Sequence, residues 1–161
     1  MIEMELTGVR VELPTNQPIV LLRERDGERY LPIWIGTAEA AAIALSLQGV
    51  TTPRPMTHDL LKNILDDLSV EVQSISVTEL RDATFFATIT MRRNGDTFEI
   101  SSRPSDAIAL AVRLTSVPIF ASEDVLEEAA ILIPADEDEE VEKFREFLEQ
   151  VTPEDFSSGE A

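Results

Sequence analysis

The chain has 161 residues, 43% of them hydrophobic, with no cysteine and a formal net charge of −18. That length suits one domain burying roughly 70% of its unfolded surface, and the lack of cysteine excludes disulfides, thiolate nucleophiles and cysteine-ligated zinc. No stretch nears the ~20 apolar residues of a membrane span, and Met1-Ile2-Glu3-Met4-Glu5 carries acids where a secretory leader needs cations, so a cytoplasmic protein without a membrane partner is expected.

Residues 2–13 alternate as a strand does, and Pro14-Thr15-Asn16-Gln17-Pro18 reads as a loop. Ile19 to Arg25 and Tyr30 to Ile35 flank Asp26-Gly27, a hairpin signal. Gly36-Thr37 ends the second strand and opens an alanine-rich helix, with Thr37 as cap and Glu39 in the first turn. A loop with Pro53-Arg54-Pro55 leads to a helix capped by Thr57, stapled by Met56 and Leu61, with Asp59 in its first turn. Its buried stripe is expected to be Leu61, Ile64, Leu65 and Leu68.

Residues 70–80 and 84–92 read as two more strands, and Asn94-Gly95 turns the second into Thr97 to Ile100. Then comes Ser102-Arg103-Pro104-Ser105-Asp106, a helix start. Ser102 can cap it, Pro104 sits where a missing N–H costs nothing, and Asp106 complements the positive helix end. Ala107 to Leu114 is apolar nearly all round, as a deeply buried helix would be. A short strand at 118–121 and a small helix at 122–130 complete a body of residues 1–133.

Residues 134–161 form an acidic C-terminal tail, in which Val141, Phe144, Leu148 and Val151 mark one face of a short amphipathic helix. From Glu123 onward the net charge is −13, against −5 for residues 1–122. The charge therefore does not bar a phosphodiester from an arginine cluster in the body, although without a basic run only weak nucleic-acid binding is expected. Strand-strand-strand-helix occurs twice. Shifting by 65 residues lays Ala42-Ile43-Ala44-Leu45 on Ala107-Ile108-Ala109-Leu110, a hint of internal duplication. The fold class expected is α+β, a mostly antiparallel or mixed sheet with helices packed on it.

Arginine-proline followed closely by an acid appears twice, as Arg54-Pro55 before Asp59 and Arg103-Pro104 before Asp106. Two such helix starts could converge on one cleft. Asp59, Asp106 and Glu39 would then hold Mg²⁺ or Mn²⁺ while Arg54 and Arg103 neutralise a phosphate. Equally physical is a brace, each arginine forking onto the aspartate of the other helix start. The lone histidine, His58, reads as a general base or metal ligand, or else as a histidine on the surface or behind the site. Trp34 could stack a base, or pack in the fold or a subunit contact.

Three segments carry a resemblance. They are Leu31-Pro32-Ile33-Trp34-Ile35-Gly36 with Glu39-Ala40, Arg54-Pro55 with Thr57-His58-Asp59-Leu60, and Arg103-Pro104-Ser105-Asp106-Ala107-Ile108-Ala109-Leu110-Ala111. In this order they resemble the bifunctional nuclease domain family over about residues 1–133. Ser101-Ser102 stands where members often have Asp-Ala. The resemblance implies a self-associating α+β domain, a homodimer or larger homo-oligomer, with DNase and RNase activity, for which the carboxylates and arginines above would supply metal-dependent hydrolysis. It points to Glu39, Arg54, His58, Asp59, Arg103, Ser105 and Asp106 as the positions to test. With the residue reading above, the expected roles are His58, Asp59, Arg103 and Asp106 as catalytic, Arg54, Ser105 and Trp34 as substrate-binding, and Glu39, Asp59 and Asp106 as metal ligands. The rival expectation is a non-catalytic oligomeric module whose Arg-Asp elements are braces.

Overall fold

The computed structural model describes residues 1–12 and 14–133; the expected tail helix lies outside them. Backbone contacts group Met1–Ile131 as one unit and Leu132–Ala161 as a second. In chain order the elements are β1 (Ile2–Glu12), β2 (Gln17–Glu24), β3 (Arg29–Trp34), α1 (Thr37–Leu47), α2 (Thr57–Asp67), β4 (Glu71–Arg81), β5 (Thr84–Arg93), β6 (Asp96–Ser102), α3 (Pro104–Ala111), β7 (Ile119–Ala121), α4 (Glu123–Ala129) and β8 (Ile131–Leu132). The α+β expectation holds. No described helix is long and apolar enough to cross a membrane.

All eight strands form one sheet in the order β6-β5-β4-β7-β1-β2-β3-β8. Two antiparallel meanders, β1-β2-β3 and β4-β5-β6, are joined through β7, which runs antiparallel to β1 and parallel to β4. The strand-strand-strand-helix order does occur twice, but this shows no duplication. Alternation sorts each strand: Val20 and Leu22 of β2, Leu31 and Ile33 of β3, and Ile75 and Val77 of β4 point into a single core. In β1, alternation is reset by a bulge between Leu6 and Gly8, where Gly8 takes a φ of +146°.

As the apolar sequence requires, α3 is buried on nearly every side, from Pro104 and Ser105 through Ala107 to Ala111. It packs on β4, β5, α1 and α2. Its alanines let α1 approach closely, and Ser46 Oγ of α1 donates to the Val112 carbonyl at 3.2 Å. Regular helix stops at Ala111, short of the expected Leu114, because the chain turns there toward β7.

The expected caps shift by one residue. Gly36, Met56 and Arg103 are the N-caps of α1, α2 and α3, with Thr37 and Thr57 already helical. The Asp59 carboxylate accepts from the Met56 N–H at 3.0 Å, so the acid three residues on supplies the cap. The buried stripe of α2 is also displaced. Leu61 and Leu65 pack on the core as expected, whereas Ile64 and Leu68 remain half-exposed, in line with Met56 and Leu60. His58 takes the inner position instead, at 8% exposure.

Candidate functional site

The two arginine-proline helix starts do come together through α2 and α3. His58, the second residue of α2, bonds through Nε2 to Asp106 Oδ1 at 2.9 Å. The other Asp106 oxygen accepts from Arg103 Nε at 2.8 Å. Arg103 then reaches the first turn of α1, donating through Nη2 to Glu39 Oε1 at 2.8 Å. His58, Asp106, Arg103 and Glu39 thus form one chain of polar contacts across three helix starts.

The charges in that chain are settled by its contacts. Burial raises the Asp106 pKa, but hydrogen bonds from Arg103 and His58 outweigh it, and the carboxyl titrates below its ordinary value. Glu39 is also lowered, first by a backbone N–H of its own helix turn and then by Arg103. An ionised Asp106 can only accept, so Nε2 carries the proton of the His58–Asp106 bond, and in the neutral ring Nδ1 is the acceptor nitrogen. No buried side-chain nitrogen or oxygen lacks a partner among the described residues. Nδ1 has no hydrogen-bond partner among the described residues.

Arg103 has 63% of its side chain exposed despite two ion pairs. Its Nη1 has no hydrogen-bond partner among the described residues and remains available to an incoming acceptor. The side chain lies beside a recess of about 310 Å³, lined also by Trp34, Gly36, Phe85, Pro104 and Ser105. Ser105 is buried, and Trp34 is 51% exposed. Gly36 allows the close fit at the α1 start, because a Cβ there would collide with the Glu39 carboxylate.

Asp59 belongs elsewhere. Its Oδ1 accepts from Arg113 Nε at 2.7 Å, and its Oδ2 caps α2. Arg113, 7% exposed, also donates to the carbonyls of Ala109 at 2.7 Å and Ala42 at 2.9 Å, tying together all three helices around the site. This guanidinium is the one that holds the Asp59 pKa down. The ion pair on Asp59 is therefore made by Arg113 and not by Arg103, which pairs with Asp106 of its own helix start and Glu39 of α1. Sequence reasoning passed over Arg113; the signal was a lone cation just past the end of an otherwise apolar helix, where it can take up carbonyls.

Arg54 is exposed, and its side chain joins neither Arg103 nor Asp106. Among the described residues no group of three or more His, Cys, Asp or Glu side chains is placed to hold a metal ion. Glu39 and Asp106 share Arg103 between them, and both oxygens of Asp59 are taken by Met56 and Arg113. As arranged, these carboxylates do not fit a divalent cation, since the guanidinium stands where it would bridge them.

Comparison with known proteins shows the family to which the chain belongs. Residues 20–134 match the family model described as the bifunctional nuclease domain. An uncharacterized protein of Mycobacterium tuberculosis is 47% identical over 165 residues, covering 97% of this chain and 98% of its own. Bifunctional nuclease 1 of Arabidopsis thaliana is 30% identical over 106 residues, 63% of this chain but 32% of the plant protein. Bifunctional nuclease 2 of the same plant is 31% identical over 113 residues, 66% of this chain and 34% of its own.

Proposed function

Because the chain belongs to the bifunctional nuclease domain family, we propose that its recess binds nucleic acid and that the His58–Asp106–Arg103 cluster, which meets the recess through Arg103, hydrolyses a phosphodiester bond at its edge. The observation that carries this reading is Arg103, a guanidinium fixed by two carboxylates yet largely open to solvent. Nη1 donates to a phosphate oxygen and stabilises the charge that gathers as water attacks phosphorus. His58 Nδ1 takes the water proton and returns it to the leaving oxygen, so a P–O bond forms as another breaks. Asp106 orients both, one on each oxygen.

No step here runs through a metal. The Mg²⁺ or Mn²⁺ expectation becomes an arm of the experiment, in which labelled DNA and RNA, single- and double-stranded, are incubated with the full chain in Mg²⁺, Mn²⁺ or EDTA. Cleavage that falls at least about a hundredfold in Arg103→Ala supports the reading. Cleavage unchanged by Arg103→Ala overturns it. Activity only with added cation would mean that Arg103 moves aside and Glu39 and Asp106 become ligands.

A second reading concerns assembly. Met56, Leu60, Ile64 and Leu68 form a half-exposed apolar row along α2, which suits burial against another copy of the chain. Light scattering of Leu60→Glu against the parent tests it, with dissociation as the expected result and an unchanged mass as the contrary one.

A further inference from the structure

We infer that the outer face of β2 and β3 is a track for single-stranded nucleic acid leading into the Arg103 recess, with Trp34 and Tyr30 as stacking surfaces and Arg23 as a second phosphate contact. This rests on the hydrolytic reading for its direction, but not for its binding chemistry. Along β3, Leu31 and Ile33 are buried, while Tyr30, Pro32 and Trp34 alternate with them and share the opposite face. Cross-strand register sets Trp34 beside Ile19, Pro32 beside Leu21 and Tyr30 beside Arg23. Arg23 lies over the Tyr30 ring, 5.8 Å from its centroid, and makes no ion pair among the described residues. The two aromatics are four steps apart along the strand, roughly 13 Å at ~3.3 Å per residue.

Each end of this row therefore pairs an aromatic plane with a guanidinium, Tyr30 with Arg23 at one and Trp34 with Arg103 beside the recess at the other. An aromatic plane with a cation beside it at each end of the row suits a polymer of bases and phosphates. Only bases free of their neighbours can use those planes, because in a duplex both faces of each base are already stacked. On a chain of net charge −18, a polyanion is also confined to a face where cations are exposed.

Trp34 is the only tryptophan, so its emission reports occupancy of the track directly. The full chain in EDTA at low salt is titrated with a short oligothymidylate, and separately with a blunt duplex of the same length. Saturable quenching by the single strand alone is expected. Tyr30→Leu and the exposed Arg23→Gln should each weaken binding about tenfold, and Arg23→Gln should reduce the slope of log affinity against log salt by about 0.7. Equal quenching by the duplex overturns the track. So does emission that changes with protein concentration but not with oligonucleotide, which would mean that another copy covers this face. Single-strand quenching without cleavage under any cation leaves the track standing and removes the hydrolytic reading. Duplex cleavage with silent Trp34 emission does the reverse.

Discussion

His58 and Asp106, 48 positions apart, meet at 2.9 Å across the starts of α2 and α3. The contact matters because the second oxygen of the same carboxylate holds Arg103 at 2.8 Å. A proton acceptor and a phosphate-sized cation are thereby fixed to one group. Asp106→Asn keeps the shape but removes the charge that selects the His58 tautomer and anchors Arg103. Nucleic-acid cleavage should fall at least about a hundredfold, and the melting temperature should fall too, since the charge that Arg103 and His58 stabilise is lost. Parallel activity assays and thermal melts check both halves.

Arg113 and Arg103 should differ sharply in what they contribute to stability. Arg113 is almost fully buried with three acceptors, and removing it strands Asp59 and two helix carbonyls. Arg113→Met should cost about 3 kcal/mol in urea unfolding. Arg103→Met, at an exposed ion pair, should cost less than about 1 kcal/mol. Equal losses would make Arg103 a structural brace and remove its assignment to substrate.

The hairpin between β4 and β5 carries a local cost at Ala83, held at a φ of +61° beside the recess. An alanine pays roughly 1 kcal/mol there that glycine does not. Ala83→Gly should therefore raise stability by up to about that amount, less what glycine loses through greater freedom when unfolded. A fall in the denaturation midpoint would contradict this view of the turn.

Acid should weaken the fold through the same carboxylates. Asp59 is lowered chiefly by Arg113, Glu39 by its own helix turn and then Arg103, and Asp106 by Arg103 and His58 against the opposing effect of burial. A carboxyl whose folded pKa lies below its unfolded value stabilises fully above the unfolded value, and that contribution disappears as pH falls through the folded one. With unfolded carboxyls near 4, unfolding free energy should hold from about pH 7 to 5 and decline below about 4. Asp59→Asn should make the decline shallower, as urea titrations at each pH would show.

Much of this was legible before the structure. Period-two alternation and the Asp26-Gly27 and Asn94-Gly95 turns mark strands that form almost where expected. Pro104 and Asp106 mark the start of α3. Two local signals that read alike, Arg54-Pro55 and Arg103-Pro104, turn out differently, because the recess borders only the second. The assignment of Asp59 to a metal with Asp106 rested on both lying in first turns. Helix position alone does not say that Arg113, just past the far end of α3, will claim one of them. The stripe of α2 likewise looked complete as leucine and isoleucine, but the polar link to Asp106 turns His58 inward and leaves Ile64 and Leu68 half-exposed.

The most direct test of the central claim is the single-turnover cleavage rate of a labelled single strand by the full chain, set against His58→Asn with its fold verified by circular dichroism. The account predicts measurable cleavage by the parent and a loss of about 10²- to 10⁴-fold in the variant. Equal rates for the two proteins would contradict it.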